Sequence, residues 1–199
     1  MRRALVVIDV QNEYETGRLP IEYPSLDLSL RNIGRAMDAA QANDIPVVVV
    51  QDTGSPDDPV FAEGSAGWKL HEVVSDRPRQ HLVRKVTPGA FTGNDLDSWL
   101  RTHHVDTVAI VGFMAHHCVD TSARQAMHVG YAAEVLADAT GTVTLSHERG
   151  KVGAKQLYET TMIVLHSRFA AVVSTDEWLK ASESGEPLHP AGLLASIMT

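Results

Sequence analysis

Cysteine is almost missing from this chain: among 199 residues there is one, Cys118. A single thiol excludes a disulfide framework and any metal cluster held by several thiolates. A basic surplus is missing too. Asp and Glu number 25 against 17 Lys and Arg, for a formal net charge of −8, and no basic stripe offsets it, which argues against a nucleic-acid backbone as partner. There is no charged-then-apolar leader and no apolar run of bilayer length. Internal repeats and low-complexity stretches are lacking as well. The expectation is a soluble, cytoplasmic protein with one domain over residues 1–182, large enough to build a core without covalent staples. A polar tail with Pro187 and Pro190 follows over 183–199.

The apolar runs that are present alternate with amphipathic stretches. Ala4–Val10, Pro46–Gln51 and Thr107–Val111 are dominated by β-branched and apolar residues, as in strands covered on both faces. His81–Lys85, Ala132–Ala137 and Ala170–Val173 read as three shorter strands. Between them, helices are expected from Ser25, as N-cap, to Ala42, from Asn94 to His104, from Val119 to Gly130 and over 151–165, with a last turn or two at 175–181. Residues 52–67 carry Gly, Pro, Ser and Asp and read as a long loop. Strand-helix alternation of this kind predicts a three-layer α/β/α sandwich, Rossmann-like, with a six-stranded, mainly parallel sheet. Such sheets bind ligands beyond the carboxyl ends of their strands.

Polar residues at those ends are therefore the candidates, and Asp9, Asp52, Lys85 and Cys118 all lie at or just past one. Asp9 interrupts an apolar strand, where an unpaired carboxylate costs several kcal/mol; it reads as catalytic or as a structural carboxylate held by Lys85 or by loop amides. Lys85 closes the third strand and reads, taken alone, as an ordinary solvated lysine. Cys118 falls where the fourth strand turns into a helix. There the helix dipole favours thiolate, although a lone cysteine equally suits a packed apolar position.

Three segments change the weighting. Val6-Val7-Ile8-Asp9-Val10-Gln11-Asn12, Lys85-Val86-Thr87-Pro88-Gly89-Ala90-Phe91 and Val111-Gly112-Phe113-Met114-Ala115-His116-His117-Cys118-Val119-Asp120-Thr121-Ser122-Ala123-Arg124 resemble the signature segments of the isochorismatase-like cysteine hydrolases. The likeness extends through 136–141 and 167–170 and so covers most of residues 4–180. It implies a catalytic triad of Asp9, Lys85 and Cys118. It also implies an oxyanion hole from the backbone N–H groups of Met114 and Cys118, with a cis peptide at Phe113-Met114. Around these, Gln11, Tyr14, Trp68, Phe91 and His116 are candidate substrate-binding residues; Gln11 suits a loop-fixing role equally well. His117 reads as a packing or capping residue and His71 as surface.

Two departures refine the expectation. The nicotinamidase branch has an Asp-x-His metal motif after its second strand, whereas this chain has Gln51-Asp52-Thr53-Gly54, with no histidine at the ligand position. No metal or other cofactor is therefore expected, and Asp52 is read as ordering its loop. Gly89 stands where related sequences often have serine, which would loosen the loop near Phe91. True isochorismatases generally lack the nucleophilic cysteine, so Cys118 points to hydrolysis of an amide or ureido C–N bond in a small metabolite through a thioester. The alternatives are nicotinamidase-like or isochorismatase-like activity on another small metabolite, or a non-catalytic binding or assembly module of the same fold. The family is commonly homo-oligomeric, and apolar Leu193, Leu194 and Ile197 near the C-terminus suit a subunit contact.

Overall fold

Six parallel strands form the central sheet in the computed structural model, which describes residues 1–198. In chain order the elements are β1 (Arg3–Ile8), α1 (Leu26–Ala42), β2 (Val47–Asp52), α2 (Glu72–Ser75), β3 (His81–Lys85), α3 (Leu96–Thr102) and β4 (Thr107–Phe113). A π-helical turn, Ala115–Val119, leads into α4 (Asp120–His128). Then come β5 (Ala132–Gly141), β6 (Leu145–His147), β7 (Gly150–Val152), α5 (Ala154–Val164), β8 (Ala171–Val173) and α6 (Thr175–Ser184).

The β-branched runs become strands because both their faces are buried. Val6, Ile8, Val48, Val50 and Ile110 point to one face, where Leu96 and Leu100 of α3, Ala123 and Ala126 of α4, and Tyr158 and Met162 of α5 cover them. Leu5, Val7, Val47, Val49 and Val111 point to the other, under Leu30, Ile33 and Met37 of α1, Val74 of α2 and Trp178 of α6. Burial of that order, about 1.5–3 kcal/mol per large side chain, drives the sandwich together. Ser25 caps α1 as expected, its hydroxyl accepting from Leu28 N.

Strand order is β3-β2-β1-β4-β5-β8. The chain winds outward from β1 in one direction, returns, and winds outward from β4 in the other. The crevice between the carboxyl ends of β1 and β4 is thus the switch point where such folds take their ligands. Two findings depart from expectation. β5 runs four residues past Ala137, crossing an irregularity opposite Ile110 and Gly112. A small antiparallel hairpin, β6–β7, fills residues for which no element was expected and overlaps the expected helix only at Lys151 and Val152; its residues are nearly all exposed, so no apolar periodicity marks it. Beyond α6, Gly185 supplies the left-handed C-cap (φ 75°). The tail is tied back by Arg3, which donates to the Glu186 carbonyl at 2.5 Å, and by Ala191 N on the His166 carbonyl at 3.0 Å.

Candidate active site

Four chemically active side chains meet at the switch point because four adjacent strands end there. Asp9 follows β1, Asp52 ends β2, Lys85 ends β3, and Cys118 sits in the π-turn after β4. Asp52 and Lys85 are direct register partners on neighbouring strands. The Lys85 ammonium lies 2.7 Å from Asp9 Oδ2, 2.5 Å from Asp52 Oδ2 and 3.5 Å from Cys118 Sγ. Asp9 and Lys85 are wholly closed off at their side chains, and Cys118 is 3% exposed.

The local backbone is shaped for this meeting. Asp9 adopts φ +52°, a conformation that costs a non-glycine residue free energy and is kept where surroundings enforce it. Opposite Ile8, the residue before it, Gly112 has φ +112°, and a Cβ there would lie 2.0 Å from the Ile8 carbonyl oxygen, so only glycine lets β4 approach the end of β1 this closely. The Phe113-Met114 peptide is cis. In the π-turn the Met114 carbonyl accepts the amides of His117 and Val119, the residues on either side of Cys118. Turns of this type recur at functional sites.

Charge and burial set the protonation states. Burial pushes the Asp9 carboxyl up to about 6, against the pull of Lys85 and with the help of Asp52. Burial alone would lower Lys85, but the carboxylates of Asp9 and Asp52, with Cys118 beside them, outweigh it and hold the ammonium charged. Burial also pushes the Cys118 thiol well up, Asp9 adds to this, and Lys85 opposes it. The surroundings thus push Cys118 toward the neutral thiol, against the thiolate that a helix N-terminus would favour. Cys118 is the fourth residue of its helical stretch, and beside the Lys85 ammonium it also faces the carboxylates of Asp9 and Asp52. The Asp9 oxygens beside it lack an aligned hydrogen bond, although Lys85 is close.

Asp9, Asp52 and Cys118 offer three ligand atoms within 4.8 Å of one another. A metal ion among them would meet the Lys85 ammonium, which already contacts all three. Where a histidine ligand would stand, a Cβ on Gly54 would fall 2.5 Å from Asp58 Oδ2, which instead holds Ser55 N at 2.7 Å. The residues present do not fit a metal, and the cluster carries its own cation.

The remaining candidates divide. Gln11 spends its amide on the backbone: Nε2 donates to the carbonyls of Asp52 (3.0 Å) and Trp68 (2.7 Å), and Oε1 accepts from Asp52 N (2.9 Å). Its role is loop-fixing, and no donor of its amide is left for a substrate. Tyr14 is packed between Phe61 and Phe113, at 5.4 and 5.3 Å, in the core beneath the site. Trp68 is half-buried, donating from Nε1 to Thr53 Oγ1 at 3.0 Å, with the Arg84 guanidinium 5.2 Å over its ring. Phe91 is half-buried against Tyr131 and borders an open cavity of about 400 Å³ with Arg124, Gln125 and His128. His116 is half-buried, paired through Nδ1 with Thr142 Oγ1, and its imidazole is held below its usual range, chiefly by burial.

Several expectations need correction. Asp52, a strand-end carboxylate read as ordering its loop, does so through its backbone and also puts its carboxylate into the cluster. His71 is buried rather than on the surface: Nδ1 accepts Val73 N at 3.1 Å as the cap of α2, and Nε2 lies 3.3 Å from Glu15. The loop after Lys85 is not loosened by Gly89. A Cβ there would fall 2.2 Å from Gln125 Oε1, and Gln125 uses that space to accept from Phe91 N (3.3 Å) and to donate to Thr92 Oγ1 (2.8 Å). His117, read as packing or capping, is exposed, with Nδ1 3.7 Å from Cys118 Sγ.

The isochorismatase domain model matches residues 3–177. The chain belongs to the isochorismatase family. A solved isochorismatase-type structure from Burkholderia xenovorans LB400 superposes with a TM-score of 0.97 at 51% identity, covering 98% of this chain and 94% of that one. An uncharacterised isochorismatase family protein of Bacillus subtilis strain 168 is 30% identical over 90% of this chain and all of its own length. The ureidoacrylate amidohydrolase of Pseudomonas syringae pv. syringae is 26% identical over 92% of this chain and 85% of its own. This isochorismatase-family protein is accordingly a hydrolase, and its fold is the family's.

Proposed function

We propose that this protein is a cysteine amidohydrolase that cleaves an amide or ureido C–N bond of a small molecule, without metal, through a thioester on Cys118. The observation that carries the reading is the buried contact of a thiol, an ammonium and a carboxylate raised to about 6. Asp9 takes the S–H proton as Cys118 Sγ attacks the carbonyl carbon. The N–H groups of Met114 and Cys118 are the donors proposed for the oxyanion, a role in which one donor is worth about 100–1,000-fold in rate. As the intermediate collapses, the C–N bond breaks and Asp9 passes its proton to the departing nitrogen. Water, losing a proton to Asp9, then attacks the thioester, and the proton returns to sulfur as the acid leaves. Each half-reaction restores Asp9.

The ureidoacrylate amidohydrolase relative supports a C–N bond as the target, as does the presence of a nucleophilic cysteine. Ammonia release from a panel of small carboxamides and ureido compounds tests it, with a chelator present and absent. Cys118→Ala is expected to abolish release, by on the order of 1,000-fold or more, while chelation leaves the wild type unchanged. Release that survives Cys118→Ala would overturn the assignment of the nucleophile, and release that a chelator stops would overturn the metal-free reading.

A further inference from the structure

Asp52 does two jobs with different atoms. Its loop is ordered through its backbone, whose N–H and C=O are both taken by the Gln11 side chain. The carboxylate is thereby free, and it lies 2.5 Å from Lys85 Nζ, on the register partner across the sheet, with its side chain 21% exposed. Lys85 is thus shared between two carboxylates, whereas the steps above use only Asp9. Counting charge shows what the second contributes. At rest the buried cluster holds two carboxylates, one ammonium and a neutral thiol. When Asp9 accepts the thiol proton, the negative charge passes to sulfur and, on attack, to the carbonyl oxygen, so the net charge is unchanged. Asp52, on the solvent side, stays beside the ammonium throughout that step.

We infer that Asp52 is a positioning residue of the catalytic centre: by sharing the Lys85 ammonium it leaves Asp9 basic enough to deprotonate Cys118 and keeps the thiol neutral until it is attacked by that base. The groups that face one another here are Asp9 from the end of β1, Asp52 from β2, Lys85 from β3, and Cys118 with His117 from the π-turn; Tyr14 lies beneath them. The Asp52 charge acts in the same direction on Asp9, Lys85 and Cys118, raising the proton affinity of each. Lys85 without Asp52 would pair more tightly with Asp9, weakening the base, and would draw harder on sulfur, favouring thiolate.

This sets up opposite movements that a loss of structure would not produce. In Asp52→Asn the rate of Cys118 alkylation by iodoacetamide is expected to rise about tenfold at a given pH below its plateau, its profile moving about one unit downward. Turnover is expected to fall about tenfold in kcat, with KM little changed and the acid limb moved below its wild-type position. Asp52→Glu, which keeps the charge, is expected to restore both. The turnover readout rests on the amidohydrolase reading; the alkylation readout does not, so it decides the matter even if no amide is turned over. Alkylation in Asp52→Asn that is unchanged or slower would overturn the inference. So would a wild-type activity that rises with added Mn²⁺ or Zn²⁺ and loses that response in Asp52→Asn, since Asp52 would then be a metal ligand.

Discussion

At the scale of single residues, Asp9 is where stability and activity oppose each other. Its carboxyl is raised to about 6, chiefly by burial. A raised carboxyl means that the folded protein holds the proton more tightly than the unfolded chain does. The stability contributed by neutral Asp9 is full below the unfolded value, ~3.9, and is lost as pH rises through about 6. Ionised Asp9 is therefore a cost the fold carries at neutral pH, offset only in part by Lys85. Asp9→Asn is expected to lose turnover yet to melt no lower than wild type at pH 8, measured by thermal denaturation; a melting point several degrees lower would contradict this account of the carboxylate. The same ionisation predicts an acid limb near pH 6 in kcat/KM for the wild type, because only the anion accepts the Cys118 proton.

At the scale of elements, the site depends on how closely β4 can approach β1. Gly112→Ala would force a Cβ to 2.0 Å from the Ile8 carbonyl at φ +112°, with an expected loss of about 2–4 kcal/mol in denaturant unfolding. Because Ile8 precedes Asp9, activity per folded molecule is expected to fall as well. A variant as stable and active as wild type would show that the approach is not required. This dependence on neighbouring strands marks the boundary of what the sequence tells. The β-branched runs of β1, β2 and β4 are legible because continuous burial leaves a continuous apolar pattern. Asp9 is legible because a carboxylate inside such a run needs a reason. Asp52 is legible as a strand-end carboxylate, but its pairing with Lys85 is not: that comes from the β2–β3 register, and register between distant segments leaves no local trace. His71 escaped for a similar reason, since its helix is only four residues long and too short to show a period. The β6–β7 hairpin has no buried face to write a pattern.

At the scale of the whole molecule, the two ends of the sheet do different work. The carboxyl end holds the reactive cluster. At the amino end, Arg3 forms a buried bidentate pair with Glu134, at 2.9–3.1 Å, which also accepts from Trp178 Nε1 at 3.0 Å. Arg3 continues to the carbonyls of Ala181 and Glu186, so β1, β5, α6 and the tail are joined at one guanidinium. Glu134→Ala would leave Arg3 buried and unpaired, and an unfolding titration is expected to register a loss of about 3–5 kcal/mol, with KM unchanged for the molecules that remain folded. A shift in KM without loss of stability would mean that this clamp communicates with the site. The tail beyond it exposes Leu193, Leu194, Ile197 and Met198, apolar surface that suits contact with another copy of the chain; sedimentation is expected to find an oligomer that dissociates in Leu194→Glu, and a monomeric wild type would contradict that. Everything in the catalytic account rests on a covalent intermediate at Cys118. Intact-protein mass spectrometry on enzyme quenched while it turns over its best amide tests this most directly. The account predicts an adduct on Cys118 with the mass of the substrate less its departing amine, absent in Cys118→Ala; turnover with the enzyme never modified, and undiminished in Cys118→Ala, would contradict it.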